Sequence, residues 1–148
     1  MTPAWITTSW DDGHPLDLRI AELLMKHGLR GTFYVPLENC RPTLSATQIR
    51  ALSAEFEIGA HTVNHVILTS LTNDRAREEI GESKRRLEDI TGKLCSVFCA
   101  PSGRHAPAHL KMLGDGGFSA MRSAELLSLD RPRLHHGLAL IPLSLIHI

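Results

Sequence analysis

The stretch TTSWDDGHP, residues 7–15, sets two carboxylates side by side, Asp11 and Asp12, at the end of an apolar and β-branched run closed by Gly13. Like charges repel, and burying either is costly without a positive partner. The pair therefore lies in water on a turn or holds a cation. Further along, HTVNH carries His61 and His65. That spacing puts both imidazoles on one face if the segment turns helically. Two imidazoles and one carboxylate form a facial set suited to zinc or another first-row divalent ion. One carboxylate can bind the ion while the other stays free as a base. Adjacent strand residues point to opposite faces, so a sharp turn permitted by Gly13 is needed to bring both carboxylates to one pocket. The metalloprotease helix motif is excluded, because Thr62 stands where its glutamate would follow the first histidine.

The elements that must position these groups follow from pattern. Trp5 to Trp10 reads as a strand. Leu16 to His27 reads as a helix, with Leu16, Ile20, Leu23, Leu24 and His27 at helical spacing and Gly28 as its stop. GTFYV, Gly31 to Val35, is a buried strand. Ser45 and Gln48 form a capping box, and Leu44 and Ile49 are placed for a hydrophobic staple, so a short helix runs to about Ala54. Phe56 to Ala60 is a strand ending on His61. Asn73 is placed to cap a long helix with Ala76, Ile80, Leu87 and Ile90 on its apolar face and Gly92 as its stop. Cys95 to Ala100 is a strand, and Ala108 to Leu113 a short helix. FSAMR and LALIPL are later, weaker strands.

Such alternation means parallel strands joined by crossover helices. Asp11 and Asp12, His61 and Ser102 all fall where strands end. In α/β folds that end of the sheet carries the chemistry.

Composition narrows the class. The 148 residues suffice for one domain with a real core, and 43% hydrophobic with 22% charged is ordinary for a soluble globular protein. Sixteen basic and sixteen acidic residues cancel. No basic field points to nucleic acid and no segment to a membrane. No signal peptide is seen, so the default expectation is the cytoplasm. Three cysteines, Cys40, Cys95 and Cys99, argue against a disulfide framework. His14 reads as a turn residue, His135 and His136 as exposed. His105 and His109 lack an accompanying carboxylate motif.

TSWDDG, HTVNH and FCAPSG resemble, in order and separation, the first three signature motifs of the polysaccharide deacetylases, carbohydrate esterase family 4, the NodB-homology domain. ELLMKHGLRGTFYV and IGAHTVNH resemble that family's connecting segments. The resemblance implies an α/β fold, an incomplete and distorted (β/α) barrel of parallel strands with outer helices. It also implies metal-dependent hydrolysis of N- or O-acetyl groups on a polysaccharide or related carbohydrate. Carried over, Asp11 is the catalytic base, and Asp12, His61 and His65 are the metal ligands. Pro101 and Gly103 line the groove, and the Ser102 backbone N–H is an oxyanion donor. The implied cofactor is one divalent ion, zinc first, with cobalt, manganese or nickel as alternatives. A divalent ion polarises a carbonyl and acidifies water, Asp11 takes a proton, and Ser102 N–H steadies the oxyanion. Each such effect contributes about 2–4 kcal/mol.

Three departures from the family pattern stand out. Cys99 occupies a position where the family often has an arginine that orients the base, and Arg104 is close enough in sequence to reach back in its place. Ser102 replaces an aromatic that would stack on sugar. The family's general acid is a histidine in a Leu-x-His motif on a late strand. Leu145 and His147 match it formally but come early, so the expectation is a single domain over residues 1–148, truncated at its C-terminus. Two readings stand. The chain is a hydrolase of acetylated glycans or another linear amide, or it is a non-catalytic remnant that keeps the metal or glycan groove.

Overall fold

A computed structural model describes residues 7–38, 41–126 and 130–145. Up to Arg122 the chain is a run of strand–helix units. β1 (Thr8–Trp10), β2 (Gly31–Val35), β3 (Glu57–Ala60), β4 (Val97–Cys99) and β5 (Ala120–Arg122) lie side by side and parallel. α1 (Asp17–Lys26), α2 (Ala46–Leu52), α3 (Asn73–Thr91) and α4 (Pro107–Asp115) make the crossovers. After β5 come β6 (Glu125–Leu126), β7 (Arg133–His135), β8 (Leu138–Ile141) and β9 (Ser144–Leu145). β8 extends the sheet parallel to β5, and β7 closes it as an antiparallel hairpin partner of β8. The seven-stranded order is β1-β2-β3-β4-β5-β8-β7, with β6 and β9 forming a separate parallel pair. This is the incomplete (β/α) barrel expected, mostly parallel, with β7 as the antiparallel exception.

The helices cover the sheet and make the core. Phe33, Val35, Phe98 and Met121 from the strands are fully buried against Leu68, Ile80, Leu87 and Leu113. Phe33 meets Phe56 edge-on at 5.3 Å between ring centres, and Phe98 meets Phe118 at 5.5 Å. Each such side chain stabilises the fold by about 1.5–3 kcal/mol through burial alone. The capping box is present: Ser45 Oγ accepts from Gln48 N at 3.4 Å, and Gln48 Oε1 accepts from Ser45 N at 2.8 Å. Leu44 and Ile49 both lie in the core beneath it.

Several boundaries differ from the sequence expectation. Trp5 and Ile6, Cys40 and His147 lie outside the described residues. Leu16 and Leu23 do not belong to the buried face of α1. Leu16 sits at its N-cap, 63% exposed, while Asp17, Ala21 and Leu24 are the residues turned inward. On α3 the cap is Thr72, whose hydroxyl accepts from Arg75 N, and Asn73 is already helical. Two capping-type residues in a row made the assignment ambiguous by one position. The β4 strand is shorter than Cys95–Ala100, because pairing holds only over Val97–Cys99.

Candidate active site

Four strands deliver polar groups to one end of the sheet. β1 ends at Trp10 and the chain turns at once. Asp12 (φ 72°) and Gly13 (φ 59°) both occupy the left-handed region. Glycine is needed at 13 for space as well: a Cβ there would lie 2.8 Å from Val35 Cγ1. This is the sharp turn that puts two adjacent carboxylates on the same side. Asp12 then faces His61 and His65. Its Oδ1 lies 2.9 Å from His65 Nε2 and 3.4 Å from His61 Nε2.

His61 follows β3 directly and is 2% exposed. Its Nδ1 lies 2.8 Å from the carbonyl oxygen of Cys99, on the neighbouring strand β4. A carbonyl only accepts, so Nδ1 carries the proton and Nε2 keeps its lone pair toward Asp12 and His65. Metal-binding imidazoles are held in this way. Burial and the neighbouring His61 hold His65 below the ordinary imidazole range, so near neutral pH its lone pair is free. The neighbouring imidazoles, His61 first and then His65, hold Asp12 below the usual carboxylate range, against the effect of burial.

The segment between the two histidines is not the helical turn that the spacing suggested. It is a loop with Thr62 (φ 62°) and His65 (φ 52°) in the left-handed region, and it enters only a short 3-10 turn at Leu68–Ser70. The imidazoles converge because the loop reverses, not because a helix stacks them. Asp12, His61 and His65 each offer a ligand atom, and these atoms all lie within 4.8 Å of one another. Two neutral imidazoles and a carboxylate suit a zinc-like divalent ion, so the donor set fits the cofactor the resemblance implies. Asp11 is not part of that set and stands alongside.

Asp11 has a different partner. Arg122, the last residue of β5, directs Nη2 to both oxygens of the Asp11 carboxylate and to Cys99 Sγ at 2.9 Å. Its guanidinium also stacks over Tyr34, 5.0 Å from the ring centre. The Arg122 side chain is 5% exposed. Burial and Asp11 push the Cys99 thiol up to about 12, so Cys99 is a neutral thiol here, not a nucleophile. Sequence reasoning looked to Arg104, which is exposed past the third motif, and missed Arg122. A basic residue ending the apolar FSAMR run at a strand terminus was the available signal.

Pro101–Gly103 forms a 3-10 turn immediately after β4, beside the end of β3. Pro101 is buried and Ser102 exposed with φ 56°. Gly103 packs against Ala124, which a Cβ would approach to 2.8 Å. The left-handed Ser102 turns the backbone of the third motif at the sheet's functional end. His105 and His109 serve locally. His109 Nδ1 accepts from Ala106 N at 3.0 Å and caps α4.

The fold and this cluster define an α/β barrel protein with a candidate metal centre at the carboxyl ends of its strands. The family model described as polysaccharide deacetylase matches residues 2–121, and the chain belongs to that family. It is 22% identical over 147 residues to YxkH of Bacillus subtilis, provisionally named a polysaccharide deacetylase, covering 90% of this chain and 53% of that protein. The chain thus spans about half the length of this curated relative. Among solved structures it resembles the Streptococcus pyogenes deacetylase PplD in complex with acetate (TM-score 0.77, 17% identity, 92% of this chain and 63% of that one). It also resembles BA3943 of Bacillus anthracis, a CE4 family pseudoenzyme (TM-score 0.68, 21% identity, 78% of this chain and 42% of that one). At these identities the structural likeness concerns the fold.

Proposed function

We propose that this chain carries the catalytic half-site of a metal-dependent hydrolase that removes N- or O-acetyl groups from a polysaccharide or related carbohydrate. The observation that carries the reading is the convergence of Asp12, His61 and His65, with Asp11 beside them and held by a separate cation. Asp12, His61 and His65 would hold one divalent ion, zinc first. When bound, that ion polarises the acetyl carbonyl and acidifies water. Asp11 accepts a proton from the attacking water at a carboxylate oxygen. Arg122 holds that carboxylate in place through charge-assisted contacts to both of its oxygens. The Ser102 N–H is the oxyanion donor, and Pro101 and Gly103 shape the groove at its side. A C–O bond forms to the acetyl carbon, the C–N or C–O bond to the sugar breaks, the proton taken by Asp11 passes to the departing nitrogen or oxygen, and acetic acid leaves and ionises to acetate.

A second reading, a non-catalytic metal- or glycan-binding unit, draws on Ser102. It is small where the family pattern has an aromatic, which removes a sugar-stacking surface. One experiment separates the two. The purified chain is loaded with zinc, its metal content is measured, and acetate release is followed on chitin oligomers and on peptidoglycan. Zinc at one per chain with acetate release supports the hydrolase. Zinc at one per chain with no release on either substrate supports the binding unit. No zinc uptake overturns the metal reading itself.

A further inference from the structure

Glu79, on the inner face of α3, is 5% exposed, and among the described residues no cation pairs with it. A buried carboxylate without partners is strongly unfavourable. Here all its partners come from one loop. Glu79 Oε2 accepts from Val63 N at 2.9 Å and from Asn64 N at 3.0 Å, and Oε1 accepts from Asn64 Nδ2 at 2.6 Å. Val63 and Asn64 are the middle of the segment whose two ends are His61 and His65. That segment has no strand or helix ladder to satisfy its amides, and it bends through left-handed residues at Thr62 and His65. A β-branched residue such as Thr62 enters that region only when its surroundings enforce it. Two successive amides pointing into one side form a concavity for an anion, and the anion is Glu79. On the other side, Val63 O accepts from Leu37 N at 3.0 Å and Glu38 N at 2.7 Å, and Thr62 Oγ1 accepts from Val66 N at 3.1 Å. Glu79 is thus the contact that ties the loop to the rigid helix layer.

We propose that Glu79 is the positioning residue for the His61–His65 pair: its carboxylate clamps the Val63–Asn64 backbone and so sets the distance and direction between the two imidazoles. The proposal rests on the metal reading above for its functional consequence. The clamp itself can be read without metal. Removing an outer partner of this kind lowers metal affinity about 10- to 100-fold while the ligands stay in place.

The test uses the full chain, wild type and three variants. Zinc affinity is measured by calorimetry, and amide hydrogen exchange at Val63 and Asn64 is measured in metal-free protein. In Glu79→Gln the charge-assisted acceptor of the Val63 and Asn64 N–H becomes a neutral amide oxygen and an N–H₂ faces Asn64 Nδ2, so exchange at both positions should quicken and zinc affinity fall about tenfold or more. In Asn64→Ala, at an exposed position, one of the three donors is lost. Affinity should fall a few-fold, about threefold, with the melting temperature unchanged. Ile80→Val loosens the same helix on its core side and should leave zinc affinity unchanged. Zinc affinity within twofold of wild type in Glu79→Gln, with unchanged exchange, overturns the proposal. An equal loss in Ile80→Val also overturns it, since any loosening of α3 would then do. Should Glu79→Gln fail to fold, Asn64→Ala decides by the same two readouts, with no change in either overturning the clamp. If wild type binds no zinc yet exchange quickens in Glu79→Gln, the clamp stands and the metal reading fails.

Discussion

Arg122 and Asp11, 111 residues apart in the chain, meet at the end of the sheet where β5 and β1 deliver them. β1 is an edge of the sheet and β5 lies four positions along it, so the pair spans the curve of the barrel. The arginine is enclosed by Tyr34 and Cys99, and its charge is answered by the Asp11 carboxylate. Asp11 is thereby partnered apart from the Asp12–His61–His65 cluster, the arrangement on which its proposed role as a base rather than a ligand rests.

Arg122→Met should therefore reduce acetate release about a hundredfold or more while zinc affinity stays near wild type. The substitution keeps the bulk over Tyr34 and removes the charge-assisted contact to Asp11. Calorimetry with zinc beside a turnover assay checks it. Lost zinc binding with intact turnover per bound ion would reverse the assignment.

Asp11→Asn should leave one zinc bound per chain and abolish turnover. An amide has the size of the carboxylate and cannot take the proton from water. His61→Ala should do the opposite and lose most of the metal, because Asp12 and His65 alone make a poor site. Metal stoichiometry across the two variants is the measurement. If Asp11→Asn loses zinc while Asp12→Asn keeps it, the roles of the two carboxylates are exchanged.

Gly13→Ala should destabilise the fold by about 1–3 kcal/mol and weaken zinc binding with it. The added Cβ meets Val35 Cγ1 at 2.8 Å, and the backbone sits at φ 59°. Relief of that clash moves Asp12, the residue immediately before it. Denaturant unfolding and zinc calorimetry together check it, and a variant with wild-type stability would show the turn to be more yielding than its geometry indicates.

Asp17 makes stability depend on pH. It is buried, its Oδ2 has no hydrogen-bond partner among the described residues, and burial raises it from 3.8 to about 6. The folded state therefore holds this proton more tightly than the unfolded state. Its contribution is fully present below about pH 4 and is lost as pH rises through about 6. Asp17→Asn should be more stable than wild type by about 1–3 kcal/mol at pH 7, with the difference vanishing below pH 4. Thermal melts of both proteins across pH 3.5–7.5 check it. A difference that is flat with pH would mean that Asp17 does not titrate in this window.

The candidate ligand set was legible in the sequence because its signals are local. Asp11, Asp12 and Gly13 stand at the end of a short apolar run, His61 ends another, and both positions are strand ends whatever the strand order. The alternation of GTFYV, FEIGA and CSVFCA with amphipathic segments was enough for a parallel sheet, since side-chain period and crossover handedness leave few alternatives. Glu79 was not legible. Its position on α3 beside Ile80 and Ser83 reads as one more charged residue on a charged helix. Only the packing of α3 over β3 shows that it faces inward, onto a loop that must have its amides satisfied.

The sequence by itself determined the residue types, the strand ends on which they sit and the turn that Gly13 allows. Tertiary structure decided their partners. Which arginine reaches Asp11 depends on strand order and register, and Arg122 reaches it because β5 runs parallel beside β4 with Cys99 opposite Arg122. The shape of the HTVNH loop likewise depends on what lies behind it. Spacing alone is compatible with a helix, but the Val63–Asn64 backbone between the left-handed Thr62 and His65 is hydrogen-bonded to Glu79 and to the exit of β2 instead. Local propensity acts over a few residues, whereas a side chain's partner across a curved sheet is fixed by long-range packing, which no local pattern encodes.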